Sequence, residues 1–429
     1  MTDFNKMDSN ELSEMLTQLK GRYAGFQKMN LKLDMTRGKP CAEQLELSNG
    51  MFECLRKNDY KTADGFDCRN YGIVDGIPEA KELFSELLGV SAKEIIIGGN
   101  SSLNMMYDAI VRALVLGVYG GKAPWSMQRP VKFLCPSPGY DRHFAICEQL
   151  GIEMVTIEMK NDGPDMDTVE LLSGSDEAIK GIICVPKYSN PDGITYSDEV
   201  VERLAKMKTK AEDFRIIWDN AYAVHHLYDT PDELKDILKA CKEAGNPDRV
   251  FIFSSTSKIT FPGAGVAIMA ASENNINLIK KQITIQTIGP DKLNQLRHVK
   301  FLESVEKIEN HMKKHAEILR PKFEAVFEIL EKELGEKNIA CWNKPRGGYF
   351  ISFNTMDGCA KAVVQMAADA GIALTKAGAT YPYGNDPRDR NIRIAPTFPP
   401  LEELKKAVEI FCVCVQIVSI NKILSARSV

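Results

Sequence analysis

The middle of the chain alternates between short apolar runs and helix-like segments, and this alternation limits the folds that are possible. From about residue 91, the runs EIIIGG, VKFLCPSPGY, MVTIEM, IKGIICVP, FRIIWDNAY and RVFIFSSTSK are separated by segments such as LNMMYDAIVRALVLGV and VVERLAKMKT. Short β-branched strands that alternate with helices are typical of a mostly parallel sheet covered by helices. We therefore predict an α/β fold that binds ligands at the carboxyl ends of its strands.

The two ends of the chain predict a second, smaller domain. The first 28 residues and the segment from Asp291 to about Leu334 carry apolar side chains at helical spacing. After Cys341, strand-like runs (GGYFISFN and NIRIAPTF) are mixed with helical segments, which is typical of an α+β unit. The predicted division is a small domain formed by residues 1–48 and 311–429, and a large domain formed by residues 49–310.

Composition and charge argue against several classes of function. The net charge of −4 has no basic cluster behind it, so we do not expect a nucleic-acid partner. The eleven cysteines form no C-x-x-C pair, and the six histidines show no metal-ligand spacing, so we expect reduced thiols and no metal site. The N-terminal segment lacks the apolar core of a secretory signal, and IFCVCVQIVSI is too short to cross a bilayer and is predicted to form a buried helix. We expect a cytoplasmic protein without membrane contact.

Polar side chains that suit one cofactor follow the predicted strands. GGNSS, at residues 98–102, places small residues and hydroxyls at the start of a helix, where phosphate binds readily. The later strands are followed by Tyr140, Asn190, Asp219 and Lys258. Pyridoxal phosphate requires a lysine for its aldehyde, an acid for its ring nitrogen, donors for its ring oxygen and an anchor for its phosphate.

The order of these motifs resembles the class I aminotransferases of fold type I. The motifs are N-P-x-G, D-x-A-Y, S-x-x-S-K and R-I-A-P, preceded by LDMTRGKP, which resembles the glycine loop of that family, and by NYGIVDGIPEAK. The stretches KITFPGAGV and GPDKLNQLRH are similar to an aspartate aminotransferase subgroup that is often labelled a GntR- or MocR-type regulator. The resemblance covers nearly the whole chain. It implies a large domain with a mostly parallel, seven-stranded-type sheet and a smaller α+β domain.

The resemblance implies how the catalytic group is built. Lys258 would bind the aldehyde of pyridoxal 5′-phosphate and, once freed, would move a proton between the substrate Cα and the cofactor C4′. Asp219 would pair with the ring nitrogen, and His143 would lie behind Asp219. Asn190 and Tyr222 would hydrogen-bond the ring oxygen.

The resemblance also implies how the rest of the cofactor and the substrate are held. Tyr140 would stack on the ring face. Arg393 would bind the substrate α-carboxylate through two parallel hydrogen bonds, beside Asn190 and the backbone of Gly38. Tyr71 would reach the phosphate bound by the neighbouring subunit, which implies a homodimer. The phosphate ligands within one chain would be Asn100, Ser101, Ser102 and Ser255.

One motif departs from the family pattern. Many class I enzymes carry an arginine in G-x-R-x-G shortly after the lysine, and this arginine binds the phosphate. Here the stretch from Gly263 to Ala267 reads GAGVA. The sequence therefore leaves open which groups balance the charge of the phosphate.

The resemblance favours transamination between L-aspartate and 2-oxoglutarate. The side-chain carboxylate of aspartate then needs a cation, for which Arg37 and Lys39 are the candidates in the glycine loop. Transamination of alanine or aromatic amino acids, or a β-lyase reaction, would use the same cofactor, because this fold serves many reactions. A ligand-sensing regulator is the non-enzymatic alternative, although no basic DNA-binding segment is visible.

Overall fold

Helices and strands alternate through most of the chain in the computed structural model, which describes residues 3–428. The helices are α1 (Ser9–Lys28), α2 (Ala42–Glu46), α3 (Pro78–Leu88), α4 (Ser102–Val115), α5 (Asp141–Gln149), α6 (Met166–Ser175), α7 (Asp198–Lys206), α8 (Ile237–Glu243), α9 (Glu273–Gln286), α10 (Lys292–Leu302), α11 (Val305–Leu334), α12 (Ala360–Asp369) and α13 (Leu401–Arg427). The strands are β1 (Leu33–Asp34), β2 (Ile95–Ile97), β3 (Lys132–Ser137), β4 (Glu153–Lys160), β5 (Gly163–Pro164), β6 (Ile179–Cys184), β7 (Arg215–Asp219), β8 (Val250–Ser255), β9 (Ala267–Ala270), β10 (Ala340–Trp342), β11 (Ile351–Thr355), β12 (Ile372–Ala373) and β13 (Asn391–Ile394).

The central sheet has the order β2-β9-β8-β7-β6-β3-β4-β5. Strands β8, β7, β6, β3 and β4 pair in parallel, whereas β9 is antiparallel to both of its neighbours. The two-residue β5 adds an antiparallel edge to the seven longer strands. The predicted α/β fold with a mostly parallel sheet is confirmed. Strand β9 was not predicted, because its four residues AIMA are too few to show a period.

The central strands are buried on both faces, which explains their nearly continuous apolar sequences. Every residue of β6, β7 and β8 is buried. One face packs against α3, α7 and α8, and the other packs against α4, α5 and α9. A parallel sheet needs helices on both faces because its crossover connections place them there.

The smaller unit combines the two ends of the chain around a separate core. Strands β10, β11 and β13 form an antiparallel sheet, and β1 pairs with β12. Helix α13 packs against α1 and α11. It is long and apolar enough to cross a membrane, but 72% of its most apolar stretch is buried inside the protein. The predicted buried helix is confirmed, and it is longer than the apolar run indicates.

Two predicted helices have different bounds in the structure. Helix α1 begins at Ser9 and not at the first residues, because Asp8 accepts hydrogen bonds from the backbone N–H groups of Asn10 and Glu11 while the Glu11 side chain accepts one from the N–H of Asp8. The predicted helical segment from residue 291 to 334 is two helices. Ser304 caps the second one after Glu303 turns the chain with a φ of 57°.

The predicted domain boundaries remain a prediction. Residues 1–48 contribute α1 and β1, which contact the C-terminal part of the chain, as the predicted division requires. The second boundary, between residues 310 and 311, falls inside the continuous helix α11.

Candidate active site

The carboxyl ends of four adjacent strands carry the candidate site. Strands β3, β6, β7 and β8 are neighbours in the sheet, so the loops that follow them begin side by side. Tyr140 follows β3, Asn190 follows β6, and Lys258 follows β8, while Asp219 ends β7 and is followed by Tyr222. The sheet topology therefore brings together residues that are far apart in the sequence, at the edge where α/β proteins bind ligands.

The Asp219 carboxylate is buried with one oxygen paired and the other unpaired. His143 on α5 donates a hydrogen bond from Nε2 to Oδ2 of Asp219 over 2.9 Å, as predicted for a histidine behind this acid. Oδ1 is buried and has no hydrogen-bond partner among the described residues. The ring of Tyr140 meets the His143 ring edge-on at 4.9 Å between centroids. A buried carboxylate oxygen without a donor costs about 1–3 kcal/mol, so Oδ1 indicates a donor supplied by a bound molecule.

Lys258 projects its amine towards two aromatic rings. Nζ lies 5.0 Å from the ring centroid of Tyr222 and 5.6 Å from that of Tyr349. Burial lowers the pKa of the Lys258 amine, and the charge of Asp219 opposes this lowering. Burial also raises the pKa of Tyr222 well above its usual value, so its hydroxyl keeps its proton. A lysine with a lowered pKa has more neutral amine at neutral pH, which suits a nucleophile or a base.

Arg393 reaches the same place from the small antiparallel sheet. Its side chain is 4% exposed, and Nη1 donates to Oδ1 of Asp141 at 2.8 Å and to Oδ1 of Asn190 at 3.2 Å. Nη2 donates to Oγ1 of Thr375 at 3.3 Å. The guanidinium carbon lies 4.8 Å from the ring centroid of Phe350. Strand β13 thus places a fixed, planar cation beside the strand ends of the large sheet.

Gly38 leaves room for the aromatic ring that contacts Arg393. A Cβ atom at Gly38 would lie 2.6 Å from Cζ of Phe350 and 3.1 Å from Cβ of Tyr349, which is too close for a side chain. The glycine loop can therefore lie directly against this ring only because residue 38 has no side chain.

Four serines from two loops form a cluster of hydroxyls at one end of the site. Ser101 is the N-cap residue of α4, but its side chain makes no capping hydrogen bond. Ser102 begins α4, and Ser255 donates a hydrogen bond to Oγ of Ser257 at 3.0 Å. A helix start with free N–H groups and nearby hydroxyls favours an anion such as phosphate.

The glycine-rich turn after Lys258 packs closely at the position of the family arginine. Gly265 occupies the position of the arginine in G-x-R-x-G. A Cβ atom there would lie 3.3 Å from the backbone oxygens of Asn100 and Phe261 and from the backbone nitrogen of Ser257. The Asn294 side chain also holds this turn, since Nδ2 donates to the carbonyl oxygen of Gly265 at 2.8 Å. A side chain at residue 265 would therefore require these neighbours to shift by a few tenths of an ångström.

One cavity of about 270 Å³ joins most of the predicted site residues. Ten of them line it: Gly38, Ser101, Ser102, Tyr140, Asn190, Asp219, Tyr222, Ser255, Lys258 and Arg393. Arg37 and Lys39, the two candidate cations of the glycine loop, line it as well.

Three predicted residues lie outside the lining of this cavity. His143 lies behind Asp219. Asn100 lines a neighbouring hollow, and its Nδ2 atom donates to the carbonyl oxygen of Gly263 at 3.5 Å. Tyr71 is 77% exposed on the surface, and its role towards a neighbouring subunit remains a prediction.

Seven further residues line the cavity and were not predicted: Leu103, Asp141, Arg142, Val185, Ala221, Ser257 and Phe350. Asp141 and Arg142 directly follow the quoted run VKFLCPSPGY, and Ser257 lies within the quoted run RVFIFSSTSK. Their nearness to Tyr140 and Lys258 in the sequence was the available signal. Phe350 lies in the predicted small domain within the run GGYFISFN, which was interpreted only as a strand.

The family of the chain follows from comparison with known proteins. A family model described as "Aspartate amino-transferase" matches residues 7–427. The chain belongs to the aspartate aminotransferase family. A protein of Mycolicibacterium smegmatis that carries an aminotransferase name is 50% identical over 407 residues, which are 94% of this chain and 95% of that protein. The aspartate aminotransferase of Corynebacterium glutamicum is 44% identical over 408 residues, which are 95% of this chain and 94% of that protein.

The fold of this family member is also found in a solved structure. The crystal structure of an aspartate transaminase from Corynebacterium glutamicum matches with a TM-score of 0.96 and 43% identity, and the match covers 98% of this chain and 99% of that one. The predicted fold-type-I architecture and the predicted aminotransferase activity are confirmed. This member of the aspartate aminotransferase family is an enzyme that transfers amino groups.

The family implies pyridoxal 5′-phosphate, and the residues of this aminotransferase fit that cofactor. The buried, unpaired Oδ1 of Asp219 is suited to accept a hydrogen bond from a protonated ring nitrogen. The hydroxyl cluster at the start of α4 is suited to a phosphate, and Lys258 lines the same cavity. The cavity thus offers one group for each part of the cofactor.

Proposed function

We propose that this aminotransferase moves the amino group of L-aspartate to 2-oxoglutarate and binds pyridoxal 5′-phosphate through Lys258. The observation that carries the proposal is that one cavity is lined by the Lys258 amine, the Asp219 carboxylate with its unpaired oxygen, and the Arg393 guanidinium. When bound, the cofactor accepts the amino group and withdraws electrons from the substrate Cα.

The residues of the chain would divide the work of the reaction. Lys258 Nζ would take the proton from the substrate Cα and return one to the product, which requires the neutral amine that its lowered pKa favours. Asp219, fixed by His143, would keep the ring nitrogen protonated. Arg393 would bind the α-carboxylate and orient the Cα–H bond towards Lys258.

The remaining cofactor contacts would come from both loops and from the strand ends. Tyr140 would stack on the ring, and Asn190 and Tyr222 would donate to the ring oxygen. The phosphate would be bound by the serine hydroxyls and by the N–H groups at the start of α4. These phosphate ligands would be Asn100, Ser101, Ser102, Ser255 and Ser257.

The aspartate side chain would meet cations at the mouth of the cavity. Arg37, Lys39 and Arg142 line the cavity, and Lys39 Nζ lies 3.7 Å from the ring centroid of Phe398. We favour Arg37 and Arg142, because arginine binds a carboxylate with two parallel hydrogen bonds. The similarity to the aspartate aminotransferase of Corynebacterium glutamicum supports aspartate as the substrate.

The active unit would be a cytoplasmic homodimer. Tyr71 is 77% exposed and Ile288 is 61% exposed, and their segments are joined by a hydrogen bond from the Gly72 N–H to the Ile288 carbonyl oxygen at 3.0 Å. An exposed tyrosine and isoleucine on adjoining segments suit an interface with a second copy. The predicted role of Tyr71 towards the phosphate of the neighbouring subunit would then be fulfilled.

The visible absorption spectrum before and after addition of L-aspartate tests the function. With added pyridoxal 5′-phosphate we expect a visible band that disappears with L-aspartate and returns with 2-oxoglutarate. A band that persists with aspartate but responds to alanine or phenylalanine would replace the proposed substrate. Pyruvate and ammonia released from a cysteine conjugate without any 2-oxo acid would favour a β-lyase, and a missing band would contradict the proposed cofactor.

Two variants test the proposed side-chain site. Arg37→Ala and Arg142→Ala should each raise the KM for aspartate by about tenfold, the loss of one charge-assisted contact, and should change the KM for alanine little. If neither variant changes the KM for aspartate, the side-chain carboxylate binds elsewhere.

A further inference from the structure

Arg393 already binds a carboxylate in this structure, and that carboxylate belongs to the protein. Nη1 of Arg393 lies 2.8 Å from Oδ1 of Asp141, the first residue of α5. Among the described residues that line the cavity, Asp141 and Asp219 are the two acids, and Asp219 is paired with His143. Asp141 is therefore the carboxylate that balances the buried charge of Arg393 when no substrate is present.

The two partners differ in how easily they can leave the pair. The Arg393 side chain is 4% exposed, whereas the Asp141 side chain is 34% exposed. Asn190 and Thr375 also hold the guanidinium, so it is fixed in place. Asp141 can turn into water at little cost, but an unpaired, buried Arg393 would be costly. An exchange of partners at Arg393 therefore proceeds by departure of Asp141.

A substrate carboxylate cannot pair fully with Arg393 while Asp141 occupies Nη1. A carboxylate binds the planar guanidinium best through two parallel hydrogen bonds, and Asp141 holds one of the donors. Two carboxylates on one guanidinium also repel each other. The Nε atom of Arg393 is buried without a partner among the described residues, so the guanidinium still has a donor that Asp141 does not satisfy.

We propose that Asp141 is an internal competitor for the substrate α-carboxylate. It holds Arg393 in the substrate-free enzyme and leaves when a substrate carboxylate binds. Amines without a carboxylate cannot displace it, so Asp141 also contributes to the specificity for amino acids and 2-oxo acids. The inference rests on the proposed function, because it takes Arg393 as the carboxylate-binding residue.

Loss of Asp141 should change the affinity for carboxylates in opposite directions, depending on whether Asp141 competes with the substrate or supports Arg393. If Asp141 only positioned Arg393, its loss would weaken carboxylate binding. If it competes, its loss strengthens binding, because the apparent dissociation constant is the intrinsic one divided by the fraction of Arg393 that is free. A competitor that left about one tenth of Arg393 free would raise the dissociation constant about tenfold, and its removal would lower the constant by the same factor.

Calorimetric titration of the holoenzyme with maleate, an unreactive dicarboxylate, tests the inference. Asp141→Asn keeps the side-chain volume and removes the charge, and we expect about tenfold tighter binding of maleate. Asp141→Ser is a second neutral variant that should act in the same direction. Asp141→Glu keeps the charge and should return the dissociation constant towards the wild-type value. The control is Asp357→Asn, which breaks an exposed aspartate–arginine pair with Arg388 and should leave the constant unchanged.

Steady-state kinetics provide a second readout. Asp141→Asn should lower the KM for both the amino acid and the 2-oxo acid. Weaker or unchanged maleate binding in both neutral variants would overturn the role of Asp141. Arg393→Lys separates the two proposals: if it binds maleate as tightly as the wild type, the assignment of Arg393 in the proposed function fails, whatever Asp141 does.

Discussion

Asp219 holds a buried oxygen that no described residue satisfies, and at this single atom the need for a bound partner is strongest. The oxygen Oδ2 is fixed by His143, so the side chain cannot turn to bring Oδ1 to another donor. A structural role alone would leave this cost of about 1–3 kcal/mol unrelieved. The arrangement is expected when a charged donor completes the site.

Asp219→Asn tests this residue directly. The amide cannot stabilise a protonated ring nitrogen, so we expect kcat to fall by about 100-fold, which corresponds to roughly 3 kcal/mol for a lost charge-assisted contact. Affinity for pyridoxal 5′-phosphate, measured by absorbance titration, should fall as well. The control Asp176→Asn breaks the pair of Asp176 with Lys132 near the opposite end of the strands. A kcat within twofold of wild type would contradict the role of Asp219.

Asp192 predicts a pH dependence of stability. Burial raises the pKa of the Asp192 carboxyl from 3.8 to about 6. The folded state therefore favours the protonated carboxyl. The stabilising contribution of this group to the free energy of unfolding is complete below pH 3.8 and is lost as the pH rises through about 6. The pKa difference corresponds to about 3 kcal/mol. Asp192→Asn should be more stable than the wild type at pH 7.5, and this advantage should disappear near pH 4, as measured by thermal unfolding.

A control variant and a contrary result test whether Asp192 causes this pH dependence. The Asp357→Asn variant is the control: its side chain is 53% exposed, so removal of this carboxylate relieves no burial and should give no comparable gain in stability at pH 7.5. If the melting temperatures of Asp192→Asn and the wild type differ by the same amount at both pH values, Asp192 is not the titrating group.

The start of α4 and the turn after β8 together form the proposed phosphate site. Residue 265 is a glycine and not an arginine, so the charge of a phosphate would be balanced by helix N–H groups and hydroxyls. Several neutral donors would then bind the phosphate together. Removal of one donor should weaken cofactor binding without abolishing it.

Ser257→Ala is the sharpest test of this element. The loss of one hydrogen bond to a charged phosphate should raise the dissociation constant for pyridoxal 5′-phosphate about tenfold. Ser254→Ala is the matched control, because Ser254 lies three residues earlier, in β8, donates to the Asn220 carbonyl oxygen and does not line the cavity. Equal effects of the two substitutions would contradict a phosphate site at Ser257.

At the scale of the whole molecule, the proposed homodimer makes each site depend on two chains. Tyr71 and Lys258 would act in the same site from different subunits. A hybrid dimer of Tyr71→Ala and Lys258→Ala chains, purified with two tags, contains one intact site of two. At a pyridoxal 5′-phosphate concentration too low to load the Tyr71→Ala homodimer, we expect the hybrid to recover about half of the wild-type activity, although each parent homodimer is nearly inactive. If the hybrid is as inactive as its parents, Tyr71 and Lys258 act within one chain. A fully active Tyr71→Ala homodimer would show that Tyr71 has no role.

Much of the fold could be predicted because the relevant signals are local. Buried parallel strands require continuous apolar runs, and the turns after them require Gly, Pro and polar residues, so the sequence shows both. The strand ends then indicated where Asp219 and Lys258 would meet, because neighbouring parallel strands end at one edge. The short β9 and the break near Glu303 were not predictable, since four residues show no period and one backbone angle leaves no pattern.

The sequence by itself determined the alternation of strands and helices, the family motifs and the residues at the strand ends. Only the tertiary structure decided which of these residues touch. Arg393 and Asp141 lie 252 positions apart, and their ion pair depends on how β13 packs beside α5. The crowding at Gly265 likewise depends on backbone atoms from a distant loop. Periodicity describes which face of an element is apolar, but contacts between distant elements arise from strand order and packing.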